Sequence, residues 1–224
     1  MLAKVWIALV AEGIILAALL FGGAGTLSWS PAWAFLGVIS VAAFLITRLV
    51  ARQDPSLIRE RIRWPVRRIP LPWDDIGLVL FTVLFPGWLA LMALDMRFDW
   101  SWMPDWLQII GGIGVATALS FVYRVFEENA FLAQIMRRQK ESGQSLISTG
   151  PYAVVRHPFY AAVLFMCVST ALLLGSWYGL AGVLVLAAGL VVRSLLEDRA
   201  LREKLEGYAD YARRVPYRLV PGVW

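Results

Sequence analysis

The sequence predicts an all-α integral membrane protein of about six transmembrane helices with a cytoplasmic C-terminal tail. Three observations predict it. Hydrophobic residues make up 59% of the chain and mean hydropathy is +0.66, where a soluble domain carries roughly 45–50% apolar residues. The apolar residues gather into six segments, at about 5–21, 33–50, 76–94, 107–126, 159–174 and 180–192. The basic residues fall almost wholly on one side of those segments. Nothing alternates strand with helix, which argues against the parallel sheet of soluble nucleotide-binding enzymes. A length of 224 residues suits a single domain.

The first segment has only Lys4 before it and no convincing cleavage site, so it reads as a span rather than a secretion signal, with 22–25 as a loop. Glu12 sits in the middle of this segment. An intramembrane carboxylate is a functional candidate by default, but a structural hydrogen bond to a neighbouring helix is an equal reading, and Glu12 stays outside the candidate site. After the second segment, Arg59, Arg61, Arg63, Arg67 and Arg68 interleave with Ile58, Ile62 and Trp64, the pattern of an interfacial lipid anchor. The fourth segment opens on Gly111-Gly112-Ile113-Gly114. The spacing is wrong for a dinucleotide loop and no strand precedes it; small residues suit a helix–helix contact. Spanning the hydrocarbon core takes about 20 residues. The first four segments reach or nearly reach that length, whereas the last two are short and are expected to form a hairpin across 175–179, spanning or re-entrant.

Charge sets the expected orientation. Of 21 basic residues, only Arg97 falls in the loops 22–32, 95–106 and 175–179; the other 20 lie on the opposite side or at helix ends facing it. Lys and Arg accumulate in cytoplasmic loops. Both termini and loops 51–75 and 127–158 should therefore face the cytoplasm, across a bacterial or archaeal inner membrane. The net charge of +5 then reads as attraction to anionic membrane lipid, and no motif for nucleic acid is present. The single Cys167 lies in an apolar run, so neither a disulfide framework nor a thiol metal site is expected.

Chemistry-bearing residues concentrate in the C-terminal half. Loop 127–158 carries Glu127, Glu128, Asn129 and Gln144, then Thr149-Gly150-Pro151-Tyr152, a turn signal. Arg156-His157-Pro158 follows at the membrane edge. Proline suits the first turn of the next helix because its missing N–H needs no partner there, and Tyr160 lies just inside that helix. On the last segment Arg193 and Glu197 share a helical face, while Asp198 points partly away. A hairpin would bring His157 and Tyr160 close to Arg193 and Glu197. Arg193 and Glu197 could merely pair with each other, but the polar groups on the facing helix favour a binding site.

These motifs resemble the isoprenylcysteine carboxyl methyltransferase and phospholipid methyltransferase family of membrane enzymes. The resemblance covers residues 129–224. It rests on Gly150-Pro151-Tyr152-x-x-x-Arg156-His157-Pro158-x-Tyr160, on Leu174-Gly175-Ser176, on Arg193-x-x-x-Glu197-Asp198-x-x-Leu201, and on Tyr208-x-x-Tyr211 before Val215-Pro216. It implies S-adenosylmethionine as methyl donor, leaving as S-adenosylhomocysteine and held without a Rossmann sheet between the last helices and the tail. It further implies that Gly150, Pro151, Tyr152, Arg156, His157, Pro158 and Tyr160 line the cofactor pocket, and that Glu197 or Asp198 holds the donor's amino end. Arg193 would lie near the acceptor, with His157 and Glu197 completing the catalytic group. Two departures stand out: Asp198 replaces the second Glu of the family's acidic pair, and Ala162 replaces a Gly. Residues 1–126 show no comparable match and are expected to shape the acceptor side, 127–224 the cofactor side.

The implied acceptor is lipophilic: a prenylcysteine-type carboxylate, a phospholipid amine or another small hydrophobic nucleophile. A carboxylate needs no base. An amine or thiol must lose a proton, for which His157 or Glu197 is placed to serve. Two other readings compete: an NADPH-dependent membrane reductase with a related helical core, and a non-catalytic membrane factor that has kept the fold. The sequence leaves the oligomeric state open.

Overall fold

The computed structural model describes residues 2–53, 74–138, 148–205 and 207–224. It holds α1 (Leu2–Ala24), α2 (Ser30–Gln53), α3 (Asp74–Phe98), α4 (Asp105–Arg138), a 3₁₀ turn (Gly150–Ala153), α5 (Pro158–Leu173), α6 (Trp177–Lys204) and α7 (Tyr208–Arg214). Among the described residues there is no strand, as the hydropathy pattern predicts. Each of the six apolar segments falls within one of the first six helices. Arg59, Arg61, Arg63, Arg67, Arg68 and Gln144 lie outside the described residues.

Three boundaries differ from expectation, the first being that α1 continues through Gly22 and Gly23 to Ala24, where 22–25 is expected as a loop. The last segment is not short: α6 has 28 residues. Its apolar stretch ends at Arg193, but the charged residues that follow include strong helix formers (Leu, Glu, Arg, Ala), so the helix continues and carries Arg193, Glu197 and Asp198 with it. Loop 127–158 begins later than expected, because α4 runs on to Arg138. Among the described residues four helical stretches are long and apolar enough to cross a membrane, Val5–Ala24, Ser30–Arg52, Asp105–Glu128 and Trp177–Glu203, while α5 is a shorter apolar helix. The expected count of six spans is not reached on that measure.

The helices pack through small residues. α4 and α5 make the most extensive contact, and the glycines of the fourth segment create it. A Cβ on Gly111 would lie 2.7 Å from the Leu172 carbonyl carbon, and one on Gly114 would strike the Ser169 side chain. The helix-contact reading of those glycines therefore holds. Leu20, Phe35, Trp88, Leu89, Met92, Val115, Cys167 and Ala171 form the shared core of α1 to α6.

One end of the bundle is sealed by Asp95, 2% exposed. It accepts from the Ser101 N–H at 2.9 Å and the Ser101 hydroxyl at 2.6 Å, and from the Ser176 hydroxyl. This ties the end of α3 to the 99–104 loop and the α5–α6 turn. Exposed Trp33, Trp100, Trp102, Trp106, Trp177 and Tyr178 lie around that end, as an aromatic belt does at a membrane boundary. The opposite end carries a second small core of Tyr208, Tyr211, Ala212 and Val215, packed on Leu201 and Leu205. The candidate site lies there.

Candidate functional site

The site is assembled from three stretches far apart in sequence: 149–160, the last turns of α6, and the tail after α7. The 3₁₀ turn brings the chain out of Thr149, whose hydroxyl donates to Glu128 on α4 at 2.5 Å. Gly150 adopts φ +56°, which glycine tolerates without penalty. The chain then runs alongside the tail: Arg156 N–H donates to the Tyr217 carbonyl and His157 N–H to the Arg218 carbonyl, each at 2.9 Å. Pro158 opens α5, in the first turn where its sequence position predicts it.

Asp198 is the hub, 2% exposed. Arg156 donates to it through Nε, at 3.2 and 3.1 Å to the two oxygens, and through Nη2 at 2.7 Å. The His157 Nε2 lies 2.9 Å from Oδ1, the Tyr208 hydroxyl donates to the same oxygen, and Arg218 Nε donates to Oδ2 at 2.9 Å. Arg156 spends Nη1 on the carbonyls of Val215 at 2.7 Å and Pro216 at 2.9 Å. A buried carboxylate is costly unless paired and fully hydrogen-bonded, and here one carboxylate gathers the loop, α7 and the tail. Burial pushes the Tyr208 phenol up, and its bond to Asp198 pushes further the same way. Burial, partly opposed by the Arg156 charge, pushes Tyr211 up to about 12, so both act as neutral donors. The Tyr211 hydroxyl donates to the Tyr152 carbonyl at 2.8 Å.

The second cluster sits on the other side of the same helix. The Tyr160 hydroxyl donates to Glu197 Oε2 at 2.6 Å and accepts from Arg193 Nε at 3.1 Å. Arg193 and Glu197 thus share a face, as predicted, and meet through Tyr160. The Tyr160 ring stacks on His157 with centroids 5.5 Å apart and planes 15° from parallel. Tyr160, Arg193 and Glu197 are half-buried. Among the described residues the bond from Tyr160 is the one hydrogen bond to Glu197.

Gly150, Pro151 and Tyr152 stand apart from this cluster, on the tail side. Pro151 and Val154 join Thr117, Phe121, Ala161, Ala162, Phe165 and Leu219 around an apolar groove of about 360 Å³. Ala162, where the family resemblance has Gly, is 2% exposed and forms part of that wall. The residue that sequence reading missed is Arg218. It lies 20 positions from Asp198 on an irregular tail, and no periodicity or motif links the two.

The fold is thus a helical membrane bundle with a polar cluster and an apolar groove at one end. Residues 106–207 match the phospholipid methyltransferase family, the membrane methyltransferase group that the C-terminal motifs resemble. Two relatives are also similar. The cobalt-zinc-cadmium resistance protein CzcN of Cupriavidus metallidurans is 30% identical over 129 residues, 57% of this chain and 55% of that protein. The nickel-cobalt-cadmium resistance protein NccN of Alcaligenes xylosoxydans xylosoxydans is 30% identical over 130 residues, 57% of this chain and 56% of that protein. The matched region thus spans about half the length of each relative.

Proposed function

We propose that this protein transfers a methyl group from S-adenosylmethionine to a lipophilic acceptor at the cytoplasmic face of the membrane. The observation that carries the reading is the half-buried Glu197, to which Tyr160 is the one donor among the described residues, linked through Tyr160 to Arg193 in a region matching a methyltransferase family. That donor carries an ammonium and a sulfonium, and a half-buried carboxylate backed by an aromatic pair suits a cation. When bound, it would supply an already activated methyl group. What remains for the chain is alignment, worth roughly 7–11 kcal/mol when two reactants are well oriented.

Glu197 would hold the ammonium by a charge-assisted hydrogen bond, stronger than a neutral one. Asp198 is saturated by Arg156, His157, Tyr208 and Arg218, so of the two acidic residues the ligand role favours Glu197. Tyr160 fixes the carboxylate, and its stacking on His157 holds the ring. Arg193 would orient an anionic acceptor. With Nε2 engaged by Asp198, His157 has only Nδ1 with which to take a proton from an amine or thiol. The apolar groove begins at Ala161, one residue after Tyr160, which suits a lipophilic acceptor. The cytoplasmic orientation rests on the charge pattern of the sequence, in which 20 of the 21 basic residues fall outside the loops 22–32, 95–106 and 175–179.

A reductase would need basic residues to spare for a 2′-phosphate, and Arg156 and Arg218 are already committed to Asp198. The relatives' names concern metal resistance. Among the described residues no group of three His, Cys, Asp or Glu is placed to hold a metal ion, so direct metal binding has less support than methyl transfer. The test is calorimetry of the detergent-purified protein with S-adenosylhomocysteine and with NADPH, followed by labelled-methyl transfer to prenylcysteine analogues and to total lipid. Binding of NADPH but not S-adenosylhomocysteine would overturn the proposal.

A further inference from the structure

The two stretches that build the polar cluster have apolar backs. In the first, Arg156 turns to Asp198 while Val154 and Val155 line the groove; in the tail, Arg218 turns to Asp198 while Leu219 lines it. Thr117 carries the one polar side chain of the lining. Its hydroxyl donates to the Ile113 carbonyl at 2.8 Å, so the wall asks for no polar ligand. The groove, about 360 Å³, is far larger than the roughly 30 Å³ that a water molecule takes up, and spaces with apolar walls stay dry and take apolar guests. Hydrocarbon is the filling that suits it.

Thr117 and Phe121 lie in the candidate span Asp105–Glu128, and Phe121, Val154 and Phe165 are exposed, so in a bilayer the groove opens toward lipid. Its α4 wall continues toward the end of that span. Thr117, Phe121, Arg124 and Glu128 follow one another at spacings of four, three and four, which keeps them on one face. Glu128 accepts from Thr149, beside the turn that contributes Pro151 to the groove. Arg124, between Phe121 and Glu128, has a side chain 73% exposed and donates through Nη1 to Glu127 at 3.1 Å. A guanidinium has five N–H donors and suits a phosphate, so that bond leaves capacity for one. We propose that the groove holds one acyl chain of a bilayer phospholipid whose phosphate rests on Arg124. Seated there, the chain packs against Leu219 and Pro221 and braces the tail that brings Arg218 to Asp198. A lipid that binds the closed tail better than the open one stabilises the closed tail by mass action. A lipophilic acceptor entering the groove would take this lipid's place, but the inference itself needs no methyl transfer.

The test uses the full chain, stripped of lipid in detergent and titrated with phosphatidylglycerol. Bound lipid is counted by native mass spectrometry, and the tail is followed by limited proteolysis. Wild type should take up one phosphatidylglycerol, and its tail should then be cleaved several-fold more slowly. Thr117→Trp, which fills the groove from an exposed position, should lose both responses. Ala116→Trp, exposed on another side of α4, should keep them. Arg124→Gln should need several-fold more phosphatidylglycerol, and wild type should show the same weakening with diacylglycerol, which has the chains without the phosphate. A wild-type tail indifferent to lipid, a Thr117→Trp protein that responds like wild type, or equal lipid affinity in Arg124→Gln overturns the proposal. Should Thr117→Trp fail to fold, Ala161→Leu, which narrows the groove from α5, decides in its place. Neither readout uses a methyl donor, so failure here leaves the methyl-transfer reading to its own test.

Discussion

Glu197 and Asp198 are consecutive carboxylates on one helix, about 100° apart around its axis, and the fold puts them to opposite uses. Asp198 is 2% exposed and takes hydrogen bonds from Arg156, His157, Tyr208 and Arg218. Glu197 is half-buried and takes one, from Tyr160. The difference comes from what packs against each side of α6: a cation-bearing loop and tail on one, the half-open face of α5 on the other. A carboxylate whose hydrogen-bonding capacity is filled by the protein holds structure. One with a single described donor, next to an aromatic pair and an arginine, is the better candidate to take a ligand.

The strongest way to break this contrast is Asp198→Ala. It strips the buried Arg156 of its anion and should destabilise the protein by about 3–5 kcal/mol, read as a lowered melting temperature in detergent and as early proteolysis of the tail. If the variant melts like wild type, Asp198 is not the hub. Glu197→Ala should behave in the reverse manner, with little change in melting but a loss of roughly 1.5–3 kcal/mol in S-adenosylhomocysteine affinity. Equal affinity in Glu197→Ala and wild type would move the ligand role elsewhere.

Smaller effects sharpen the same comparison. Arg218 has a side chain 25% exposed and is one of several donors to Asp198. Arg218→Ala should cost about 1 kcal/mol, with proteolysis confined to the tail; a loss as large as that of Asp198→Ala would make Arg218 and not Arg156 the main counter-ion. The smallest effect is in pH. Burial raises Tyr211 to about 12, above its ordinary value near 10, so the folded state holds that proton more tightly. Its contribution is fully present below about pH 10 and fades as pH rises through about 12. Tail protection in wild type should fall over that window more steeply than in Tyr211→Phe; identical profiles would mean Tyr211 does not hold Tyr152 in place.

Much of the site was legible in the chain. Arg156-His157-Pro158-x-Tyr160 and Arg193-x-x-x-Glu197 lie on short local spacings, and helical geometry alone puts Arg193 and Glu197 on one face. Pro158 announced the start of α5. Arg218 had no such signal, because an irregular tail has no period to read. The choice between Glu197 and Asp198 was equally hidden. Sequence placed them side by side, and only the packing of the tail distinguishes them.

Composition and hydropathy alone determined that the described chain is a helical bundle with lipid-facing sides, because burying backbone polar groups in hydrocarbon leaves few alternatives to the helix. Spacing determined that Gly111 and Gly114 form a contact, because a missing Cβ matters wherever two backbones approach. The length of α6 was not determined by its apolar run, since helix propensity in the charged turns beyond the membrane edge extended it to Lys204. Nor was the convergence of four donors on Asp198, which are drawn from the loop, α7 and the tail. Contacts at such sequence separations depend on where chain ends come to rest, and that is decided only when the bundle closes.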